Sequence, residues 1–408
     1  MIKLAMIGAG GYALYLIKQI WRMPDKIQII GVASNPQRKS AGRQACVDKG
    51  IPIYDTPDEM LATVKGKADV IFIPTPINTH YQLCKKSIDA GFDVFLEKPP
   101  VATIQDLDSL RRYAKLKRKR VAVAFQYLYL QILQTLKKRI LSGEFGNVRR
   151  LSAVAGWYRD DAYFNRSDWA GKVKLNGDWI LDGTVNNPLA HLLSAELYLA
   201  STQLYTMAEP AAVEAELYHG NDIESEDTSS LRIITNNNIE ILFNASLCVD
   251  NEINPVIRIY CEKARIEYVG FNSVVINFND GKTEKLTDMN IENPADETES
   301  RVWMLKELIR CYESGDEFAA TLESCRPFVV AVNSAFESNG YPCAIDNKHI
   351  SRFECGDNVK RTIKGINDIL ESAYNENKLF SEIGVEWARK SAKYDVENYS
   401  FFPVKFKK

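Results

Sequence analysis

The residue with the clearest chemical potential is a lysine between a glutamate and two prolines. Lys98 lies in the segment F-L-E-K-P-P at 95–100, directly after an apolar run. Proline has a restricted backbone, so the turn that follows Lys98 is stiff and holds the lysine in place. An ammonium group held in this way can hydrogen-bond a hydroxyl and tune a proton transfer. The alternative is a surface ion pair between Lys98 and Glu97.

A second segment, G-A-G-G-Y-A from Gly8 to Ala13, follows an apolar strand and leads into a helix, so it fits G-x-G-x-x-A. Gly8 permits a tight turn, Gly10 lets the backbone approach a pyrophosphate, and Ala13 allows close packing. The pyrophosphate would lie on the N–H groups of the helix start. This placement predicts a dinucleotide site that includes Gly11 and Tyr12. The alternative is a glycine-rich turn without a ligand.

The end of the second predicted strand bears on which dinucleotide is bound. NAD sites usually have an acidic residue here for the ribose 2′-hydroxyl. This chain has Ser34 instead, followed by Arg38, Lys39 and Arg43. A hydroxyl with nearby cations can accept a 2′-phosphate. These residues favour NADP over NAD, unless the cations are only the solvated side of a helix.

A third segment, I-P-T-P-I-N-T-H from Ile73 to His80, also ends an apolar run. Open α/β sheets bind ligands at the carboxyl ends of their strands. We therefore expect this segment and Lys98 to line one cofactor crevice, together with Gln126 and Tyr127 after the last predicted strand of the first third.

A polar and aromatic loop in the second half has the composition of a polyol-binding site. Aromatic faces stack on sugar C–H surfaces, while charged and amide groups hydrogen-bond hydroxyls. The two arginines of the loop could also recognise a carboxylate or a phosphate. An ordinary charged loop would have a similar composition. The substrate contacts predicted in this loop are Trp157, Arg159, Arg166 and Trp169, and Tyr127 and Asn187 are predicted to contact the substrate from outside it.

The elements that must position these residues fall into two groups. Strands and helices alternate up to about residue 124, and the strands are apolar throughout, which predicts a parallel, doubly wound sheet. Strands joined by hairpin turns between about 212 and 286 predict an antiparallel sheet with helices on one face, and a further helix is expected over 358–375. The predicted fold class is α/β, with an N-terminal Rossmann domain and a C-terminal α+β domain with a large, mainly antiparallel sheet. We expect these domains at 1–124 and 125–378, with a tail at 379–408 packed on them.

Three motifs together resemble the Gfo/Idh/MocA family of glucose–fructose oxidoreductases, inositol dehydrogenases and rhizopine-catabolism proteins. They are the G-x-G-G turn, T-P-x-N-x-H from Thr75, and E-K-P at 97–99. The resemblance covers roughly residues 1–340 and includes S-G-x-x-G-x-V at 142–148. Family members transfer a hydride between a nicotinamide and a secondary alcohol of a sugar or cyclitol. The resemblance implies that Lys98 is catalytic or orients the substrate. It also implies cofactor contacts from Gly8, Gly10, Gly11, Thr75, Pro76, Asn78, His80 and Glu97.

The family pattern in the second domain, G-G-x-L-x-D-x-G-x-H, is only partly present. Asp182 matches, but Asn186 stands at the histidine position and cannot act as a general base. His191 lies one helical turn beyond Asn187, which we expect to contact substrate, and could aim into the same crevice. This D-x-x-x-N-N-x-x-x-H arrangement resembles a subgroup of the family. The proton acceptor is then Lys98 or His191, with Asp182 orienting it, and we expect these residues and Asn186 to surround the reacting carbinol. The alternative for His191 is a buried core histidine.

The overall composition argues against several partners and sites. A net charge of −2 gives no excess of positive charge that would indicate binding to nucleic acid or to an anionic membrane. Eight cysteines without a C-x-x-C pair, and only four histidines, argue against a metal site and favour a reducing compartment. The chain starts in an apolar strand without a charged n-region, and no apolar run reaches transmembrane length. We therefore expect a cytoplasmic protein.

The sequence as a whole predicts an NAD(P)-dependent oxidoreductase that acts on a secondary alcohol of a sugar, sugar derivative or cyclitol. We expect a homodimer or homotetramer formed through the C-terminal sheet. Two alternatives stay open. One is a glycoside lyase or hydrolase that oxidises and re-reduces its sugar with a retained cofactor. The other is a non-catalytic regulator that senses dinucleotide or sugar; Asn186 favours it and the intact E-K-P opposes it.

Overall fold

The computed structural model describes residues 1–37, 40–287 and 297–406, which divide into two compact units. The first unit contains Met1–Val101, Asp106–Leu130 and the described part of the segment that ends at Cys325. The second unit contains Ala102–Gln105, the described chain from 131 to 287, and residues 326–406. A single boundary near residue 124 therefore does not describe the division, because a segment of the C-terminal half belongs to the first unit.

The first third of the chain alternates strands and helices. The strands are β1 (Ile2–Ile7), β2 (Ile27–Ala33), β3 (Ile53–Tyr54), β4 (Val70–Ile73), β5 (Asp93–Leu96) and β6 (Val121–Val123). The helices are α1 (Tyr12–Ile20), α2 (Ala41–Asp48), α3 (Pro57–Val64), α4 (Ile77–Asp89) and α5 (Ile104–Lys117).

The six strands form one parallel sheet in the order β3-β2-β1-β4-β5-β6. This is the doubly wound order in which the chain reverses direction of travel next to β1, the point where such sheets bind ligands. Because all strands are parallel, their carboxyl ends share one edge of the sheet. The residues after β1, β2, β4, β5 and β6 therefore meet at that edge, and the predicted Rossmann fold is confirmed.

The second half is built around a larger sheet. Its helices are α6 (Gln131–Leu141), α7 (Asp161–Phe164), α8 (Ala190–Ala200), α9 (Glu297–Ser314), α10 (Arg326–Asn339) and α11 (Ile366–Glu376). The longer strands are β7 (Val148–Gly156), β10 (Pro210–His219), β11 (Thr228–Thr235), β12 (Glu240–Ser246), β13 (Ile253–Cys261), β14 (Ala264–Val269), β15 (Ser273–Phe278), β16 (Thr283–Thr287), β18 (Ile350–Cys355) and β19 (Asn358–Ile363). Two-residue strands are β8 (Lys174–Leu175), β9 (Asp178–Trp179), β17 (Cys343–Ala344) and β20 (Tyr394–Asp395).

The large sheet follows the order β16-β15-β14-β13-β7-β12-β11-β10-β17, with β20 paired to β10. Its pairs are antiparallel except β7 with β12 and β10 with β17, which are parallel. The predicted large, mainly antiparallel sheet is confirmed. None of the helices in the described residues combines the length and the apolar character needed to span a bilayer.

Helix α9 packs within the first unit, although it follows the large sheet in sequence. The Trp303 indole N–H donates to the carbonyl of Tyr129 at 3.0 Å, and the Tyr312 hydroxyl donates to the carbonyl of Asp69 at 3.0 Å. The Tyr312 ring also meets the edge of Phe95, a buried residue of β5. The first unit is thus completed by a helix that the strand–helix alternation does not predict.

The prediction of a helix over 358–375 is wrong for its first six residues, 358–363. Residues 358–363 form β19, which pairs antiparallel with β18 around Gly356, where φ is +64°. A two-residue Gly-Asp link between two extended runs is a hairpin signal that outweighs the helical spacing. The helix itself, α11, begins only at Ile366.

Helix α11 covers the large sheet on one face. Ser152 of β7 donates from its hydroxyl to the carbonyl of Tyr374 at 3.3 Å, and Val154 shares an apolar cluster with Leu370. Alternate strand residues point to opposite faces, and Leu151 on the other face is fully buried as well. Both faces of the sheet are therefore buried at β7, whereas the sequence predicts helices on one face.

The C-terminal tail is attached to α10 through one buried carboxylate. Glu337 Oε1 accepts from the Val404 N–H at 2.6 Å and the Tyr399 hydroxyl at 2.9 Å. Its Oε2 accepts from the Phe406 N–H at 2.7 Å. Phe402 and Phe406 then pack around Trp179. The aromatic residues of the tail thus bury apolar surface in the second unit.

Candidate functional site

The glycine-rich turn after β1 has a backbone that only glycine adopts without strain. Gly8 has φ +112°, and a Cβ there would lie 3.2 Å from Thr75 Cγ2 and 3.3 Å from the carbonyl oxygen of Pro74. Gly11 precedes α1 with φ +51°, and no side chain in the described residues caps this helix. The Ala13 N–H donates to the carbonyl of Gly10 at 3.0 Å, and no described side chain competes with an anion for the other N–H groups at the start of α1. Gly10 is exposed, so its backbone can be approached closely.

A glycine of α2, which the sequence reasoning missed, supports the turn. A Cβ on Gly42 would lie only 1.7 Å from the carbonyl oxygen of Ala9. Helix α2 therefore packs directly against the main chain of the turn. An isolated glycine inside a helical pattern was the available signal.

The residues expected to read the ribose are only partly described. Ser34 is buried, and its carbonyl accepts from the guanidinium of Arg43, whose second nitrogen donates to Asp55 at 2.8 Å. Arg38 and Lys39 lie outside the described residues. Arg43 is therefore engaged by the protein itself, which removes one of the three cations expected to meet a 2′-phosphate.

His80 joins two turns at the strand ends. It has no exposed surface, and its ring nitrogens lie 2.9 Å from the carbonyl oxygen of Pro99 and 2.8 Å from that of Thr75. Burial lowers the pKa of His80, and a neutral imidazole carries one N–H, which serves one of the two carbonyls. His80 thus lies between the two turns and donates to the carbonyl of one of them.

Two buried oxygens at this edge lack a hydrogen-bond partner among the residues that the structure describes. They are Asn78 Oδ1 at the start of α4 and Glu97 Oε1 after β5. Such orphaned acceptors are costly unless a ligand or water satisfies them. A dinucleotide, with its amide and ribose hydroxyl donors, has the groups that fit them. The donor set and the open N-terminus of α1 therefore fit a nicotinamide dinucleotide.

Lys98 is half-buried, and its backbone is held on both sides. Its N–H donates to Glu97 Oε2 at 3.1 Å, and the carbonyl oxygen of the next residue, Pro99, lies 2.9 Å from Nδ1 of His80. Burial raises the pKa of Glu97, and the charges of Lys98 and Arg301 act against this effect. This arrangement presents the lysine at the carboxyl edge of the sheet.

Two residues after β6 are buried in the first unit. Gln126 donates from Nε2 to the Ser300 hydroxyl of α9 at 3.1 Å. Tyr127 lies next to it in a short turn of 3-10 helix and is also buried. Helix α9 thus fixes the residues that were expected to line the crevice.

In the second unit, Asp182 organises the segment that was expected to be catalytic. Its Oδ2 accepts from the Gly171 N–H at 2.7 Å, and its Oδ1 accepts from the Asn187 amide at 2.6 Å. Arg166 lies 3.7 Å from Oδ2. The carboxylate is 3% exposed, so it is held by these partners rather than by solvent. Asp182, Asn187 and Arg166 are thus neighbours in the second unit.

Asn186 and His191 are buried in the same region of the chain. The Asn186 amide donates to the carbonyl of Ile180 at 3.1 Å and closes the turn that contains Asp182. His191 lies in the first turn of α8, a helix whose residues are all buried. It is 8% exposed, so its surroundings are mainly those of the protein interior.

A second carboxyl group lies beneath this segment and was missed from the sequence. A Cβ on Gly183 would lie 2.0 Å from Glu226 Cδ, so the glycine leaves room for the carboxyl group. Glu226 accepts from the Val185 N–H at 3.1 Å and from the Ser225 hydroxyl at 2.7 Å. Burial raises the pKa of Glu226 to about 7. The run I-E-S-E-D at 223–227 offered an acidic signal, but its contact with Gly183 is long-range.

The polar loop forms a cluster of guanidinium groups and aromatic rings. Arg159 lies 5.6 Å from the ring centroid of Trp157 and 5.1 Å from that of Tyr163. Arg166 lies 3.7 Å from the Tyr163 centroid and 4.7 Å from that of Trp169. The four predicted substrate contacts are therefore neighbours, and Arg166 links them to Asp182. Such a surface combines ring faces with hydrogen-bond donors, as polyol sites do.

Two family models match consecutive parts of the chain. The model described as "Oxidoreductase family, NAD-binding Rossmann fold" matches residues 2–125, and the GFO/IDH/MocA C-terminal domain matches residues 133–267. Together these segments make up more than half of the sequence. The chain belongs to the Gfo/Idh/MocA family of oxidoreductases, as its motifs predict, and its first unit is an NAD-binding Rossmann domain.

Curated relatives match over shorter stretches. The oxidoreductase YteT of Bacillus subtilis (strain 168) is 33% identical over 127 residues, 30% of this chain and 28% of that protein. YfiI of the same organism is 25% identical over 225 residues, 53% of this chain and 55% of that protein. D-glucoside 3-dehydrogenase of Escherichia coli (strain K12) is 25% identical over 165 residues, 38% of this chain and 46% of that protein. The chain thus spans between 28% and 55% of the length of these relatives.

Solved structures show the same fold at low identity. Levoglucosan dehydrogenase in complex with NADH and L-sorbose has a TM-score of 0.71 at 14% identity, and the match covers 83% of this chain and 96% of that one. The WlbA dehydrogenase of Bordetella pertussis in complex with NADH and UDP-GlcNAcA has a TM-score of 0.66 at 20% identity, covering 82% and 96%. At these identities the similarity establishes the fold.

Proposed function

We propose that this protein transfers a hydride between a nicotinamide dinucleotide and a secondary alcohol carbon of a sugar, sugar derivative or cyclitol. The observation that carries the proposal is the fixed backbone of Lys98 at the carboxyl edge of the Rossmann sheet. The bound nicotinamide would accept or donate the hydride. The protein has to bind the substrate, orient its hydroxyl and move one proton.

The first unit supplies the lysine. In the oxidative direction, the carbinol carbon loses a hydride and its hydroxyl loses a proton, which leaves a ketone. Lys98 Nζ would hydrogen-bond this hydroxyl and, when neutral, accept its proton. Lys98 interacts electrostatically with the buried carboxyl group of Glu97, because the charge of Lys98 lowers the pKa of that carboxyl group. His191 of the second unit stays the alternative proton acceptor.

The second unit supplies the groups proposed to recognise a polyol. The ring faces of Trp157 and Trp169 would stack on the C–H surfaces of a sugar, and Arg159 and Arg166 would bind its hydroxyl oxygens. Asp182 is proposed to orient the substrate or its proton acceptor, since its own position is fixed by Gly171. Asn186 and Asn187 would then complete this wall of polar groups.

The preferred cofactor is proposed to be NADP, on the basis of Ser34 and the cations at 38 and 39. The engagement of Arg43 by Asp55 weakens this preference. Equilibrium binding of NADPH and NADH to the purified protein tests it. We expect NADPH to bind more tightly; a tenfold preference for NADH would overturn the proposal for NADP while leaving the hydride-transfer proposal intact.

Turnover with a panel of sugars, uronic acids and cyclitols tests the reaction, followed by nicotinamide absorbance with both cofactors. We expect an absorbance change with at least one polyol, and a loss of about 10²-fold to 10⁴-fold in kcat for Lys98→Met with the Kd for the cofactor largely retained. Lys86→Met is a matched control, because Lys86 pairs with Asp58 on the surface of the same unit.

Two outcomes would contradict the proposal. Full kcat in Lys98→Met would remove the lysine from the chemistry. Cleavage of a glycoside without a net absorbance change would indicate a lyase or hydrolase with a retained cofactor, and cofactor binding without any turnover would indicate a regulator.

The proposed compartment is the cytoplasm, supported by eight cysteines that are all unpaired in the structure. We also propose a homodimer or homotetramer that uses the large sheet. Because α11 packs on β7 and β12 and also contacts Arg258 of β13, the strands β14 to β16 would have to provide that surface. Light scattering of the purified protein tests the oligomer, and a monomer at micromolar concentration would contradict it.

A further inference from the structure

Helix α9 brings an arginine to the glycine-rich turn. The helix lies outside both segments matched by the family models, yet it packs in the first unit. Arg301 Nε donates to the Tyr12 hydroxyl at 2.8 Å. Its guanidinium lies 5.3 Å from the ring centroid of Tyr12 and 5.0 Å from that of Tyr15. Two rings and a hydroxyl therefore hold this cation against α1.

The hydroxyl that Arg301 contacts belongs to the first residue of the helix that would bind phosphate. Tyr12 is the first residue of α1 and follows Gly11, and the first turn of α1 contains no acidic residue. The Tyr12 side chain is 40% exposed, so its surface remains accessible to a ligand. The charge of Arg301 also acts on the buried carboxyl group of Glu97. Arg301 thus places a guanidinium group beside the first residue of α1, the end of the helix that carries a partial positive charge.

We propose that Arg301 binds the pyrophosphate of the dinucleotide and that Tyr12 positions it for this contact. A guanidinium presents several N–H donors in a plane and matches phosphate oxygens in pairs, while Nε remains bound to Tyr12. The inference rests on the proposed dinucleotide site. It extends that site to a helix that the G-x-G-x-x-A motif and the Rossmann strands do not contain.

Binding of NADH, ADP and adenosine to matched variants tests the proposal. Arg301→Met should weaken NADH and ADP by about 10-fold to 100-fold, the loss expected for a charge-assisted hydrogen bond. Adenosine has no phosphate, so its affinity should change less than twofold. Arg301→Lys keeps the charge without the planar geometry and should fall between Arg301→Met and the unchanged protein.

Two further variants separate position from charge. Tyr12→Phe removes the hydrogen bond to Arg301 and keeps its ring, so it should weaken ADP by a few-fold only. Arg310→Met is the control on the same helix, because Arg310 pairs with Glu307 and Asp316 at the surface. Its Kd values should equal those of the unchanged protein. Thermal unfolding of each variant shows whether it is folded.

The proposal would be overturned if folded Arg301→Met bound ADP and NADH within twofold of the unchanged protein. It would also be overturned if adenosine lost as much affinity as ADP, because that result indicates a general disturbance of the turn. If Arg301→Met does not fold, equal ADP affinity in Arg301→Lys and the unchanged protein overturns it. An unchanged protein that binds neither NADH nor NADPH refutes the dinucleotide site itself.

Discussion

The carboxyl edge of the Rossmann sheet and the Asp182 segment of the second unit both collect candidate functional groups, but by different means. At the sheet edge, each strand contributes a few residues, and main-chain geometry brings them together. In the second unit, most groups come from one stretch, 157–191, folded by side-chain hydrogen bonds to Asp182. The first arrangement should therefore be sensitive to changes that move backbone, and the second to changes of individual side chains.

The largest effect is expected from Gly42→Ala, which tests the backbone side of this comparison. The added Cβ would lie 1.7 Å from the carbonyl oxygen of Ala9, a main-chain atom that cannot rotate away. We expect a loss of about 3 kcal/mol in the free energy of unfolding, the upper end for overpacking, together with lost NADH binding. Denaturant unfolding and equilibrium binding measure both.

Gly10→Ala is the control for this prediction. A Cβ on Gly10 has Ser40 Cβ at 3.6 Å as its nearest neighbour, an ordinary contact. The variant should keep its stability but bind NADH more weakly, because a methyl group then faces the approaching pyrophosphate. Equal free energies of unfolding for Gly42→Ala and Gly10→Ala would contradict the expectation that the sheet edge is sensitive to changes that move the backbone.

Gly183→Ala tests whether the site in the second unit depends on individual side chains. Its Cβ would lie 2.0 Å from Cδ of Glu226, so the clash is with a side chain that can be removed. We expect a loss of about 2 kcal/mol in unfolding free energy. In the double variant with Glu226→Ala the clash disappears, so a double-mutant cycle should give a favourable coupling of about 1 kcal/mol or more. Additive effects of the two substitutions would show that the Glu226 side chain does not cause the loss of stability in Gly183→Ala.

Asp182→Asn should destabilise the second unit by about 2 kcal/mol, because a carbonyl oxygen and an amide nitrogen cannot accept both of its hydrogen bonds. Asn78→Ala, at the sheet edge, provides the contrast. Since Asn78 Oδ1 has no partner in the described residues, its loss should leave stability nearly unchanged and weaken NADH binding. Similar destabilisation in both variants, measured by denaturant unfolding, would remove the difference between the two regions.

The smallest effect is expected at Glu196, within the buried helix α8. Neither carboxyl oxygen has a hydrogen-bond partner in the described chain, and burial raises the pKa of Glu196 well above its usual value. The folded protein therefore keeps a proton that the unfolded chain releases above about pH 4.3, so this group costs stability as pH rises. Glu196→Leu should raise the unfolding free energy by about 1 kcal/mol at pH 7.

Glu196→Gln is the matched control, because it removes the titration but keeps a polar group. The gain of both variants over the unchanged protein should shrink as the pH falls toward 4, with the larger gain at neutral pH in Glu196→Leu. A gain that is independent of pH would mean that Glu196 does not change its charge on unfolding.

Much of the first region could be predicted because its signals are local. The order of apolar strands and helices predicts the parallel sheet, and the residue types at Gly8 and Gly11 match the positive φ angles found there. The role of His80 was not predictable, because it depends on carbonyls of residues 75 and 99 that only the sheet brings together. Helix α9 packs in the first unit, and no local pattern indicates the unit to which it belongs.

For the second region, the sequence predicts which residues take part but not how they contact one another. The aromatic and charged composition of residues 157–179 indicates a polyol surface, and Asp182 follows from the family motif. The bond from Gly171 and the carboxyl group beneath Gly183 come from residues 11 and 43 positions away from their partners, distances at which sequence spacing carries no geometric information.

The sequence by itself determined the family, the two types of sheet and the strand-end positions of Lys98, because periodicity and short motifs act through local backbone preferences. Only the tertiary structure decided that the Glu226 carboxyl group lies against Gly183, that α11 covers the large sheet, and that Arg301 contacts Tyr12. Each of these joins elements far apart in sequence, and such contacts are selected by packing and burial of the whole chain rather than by any local pattern.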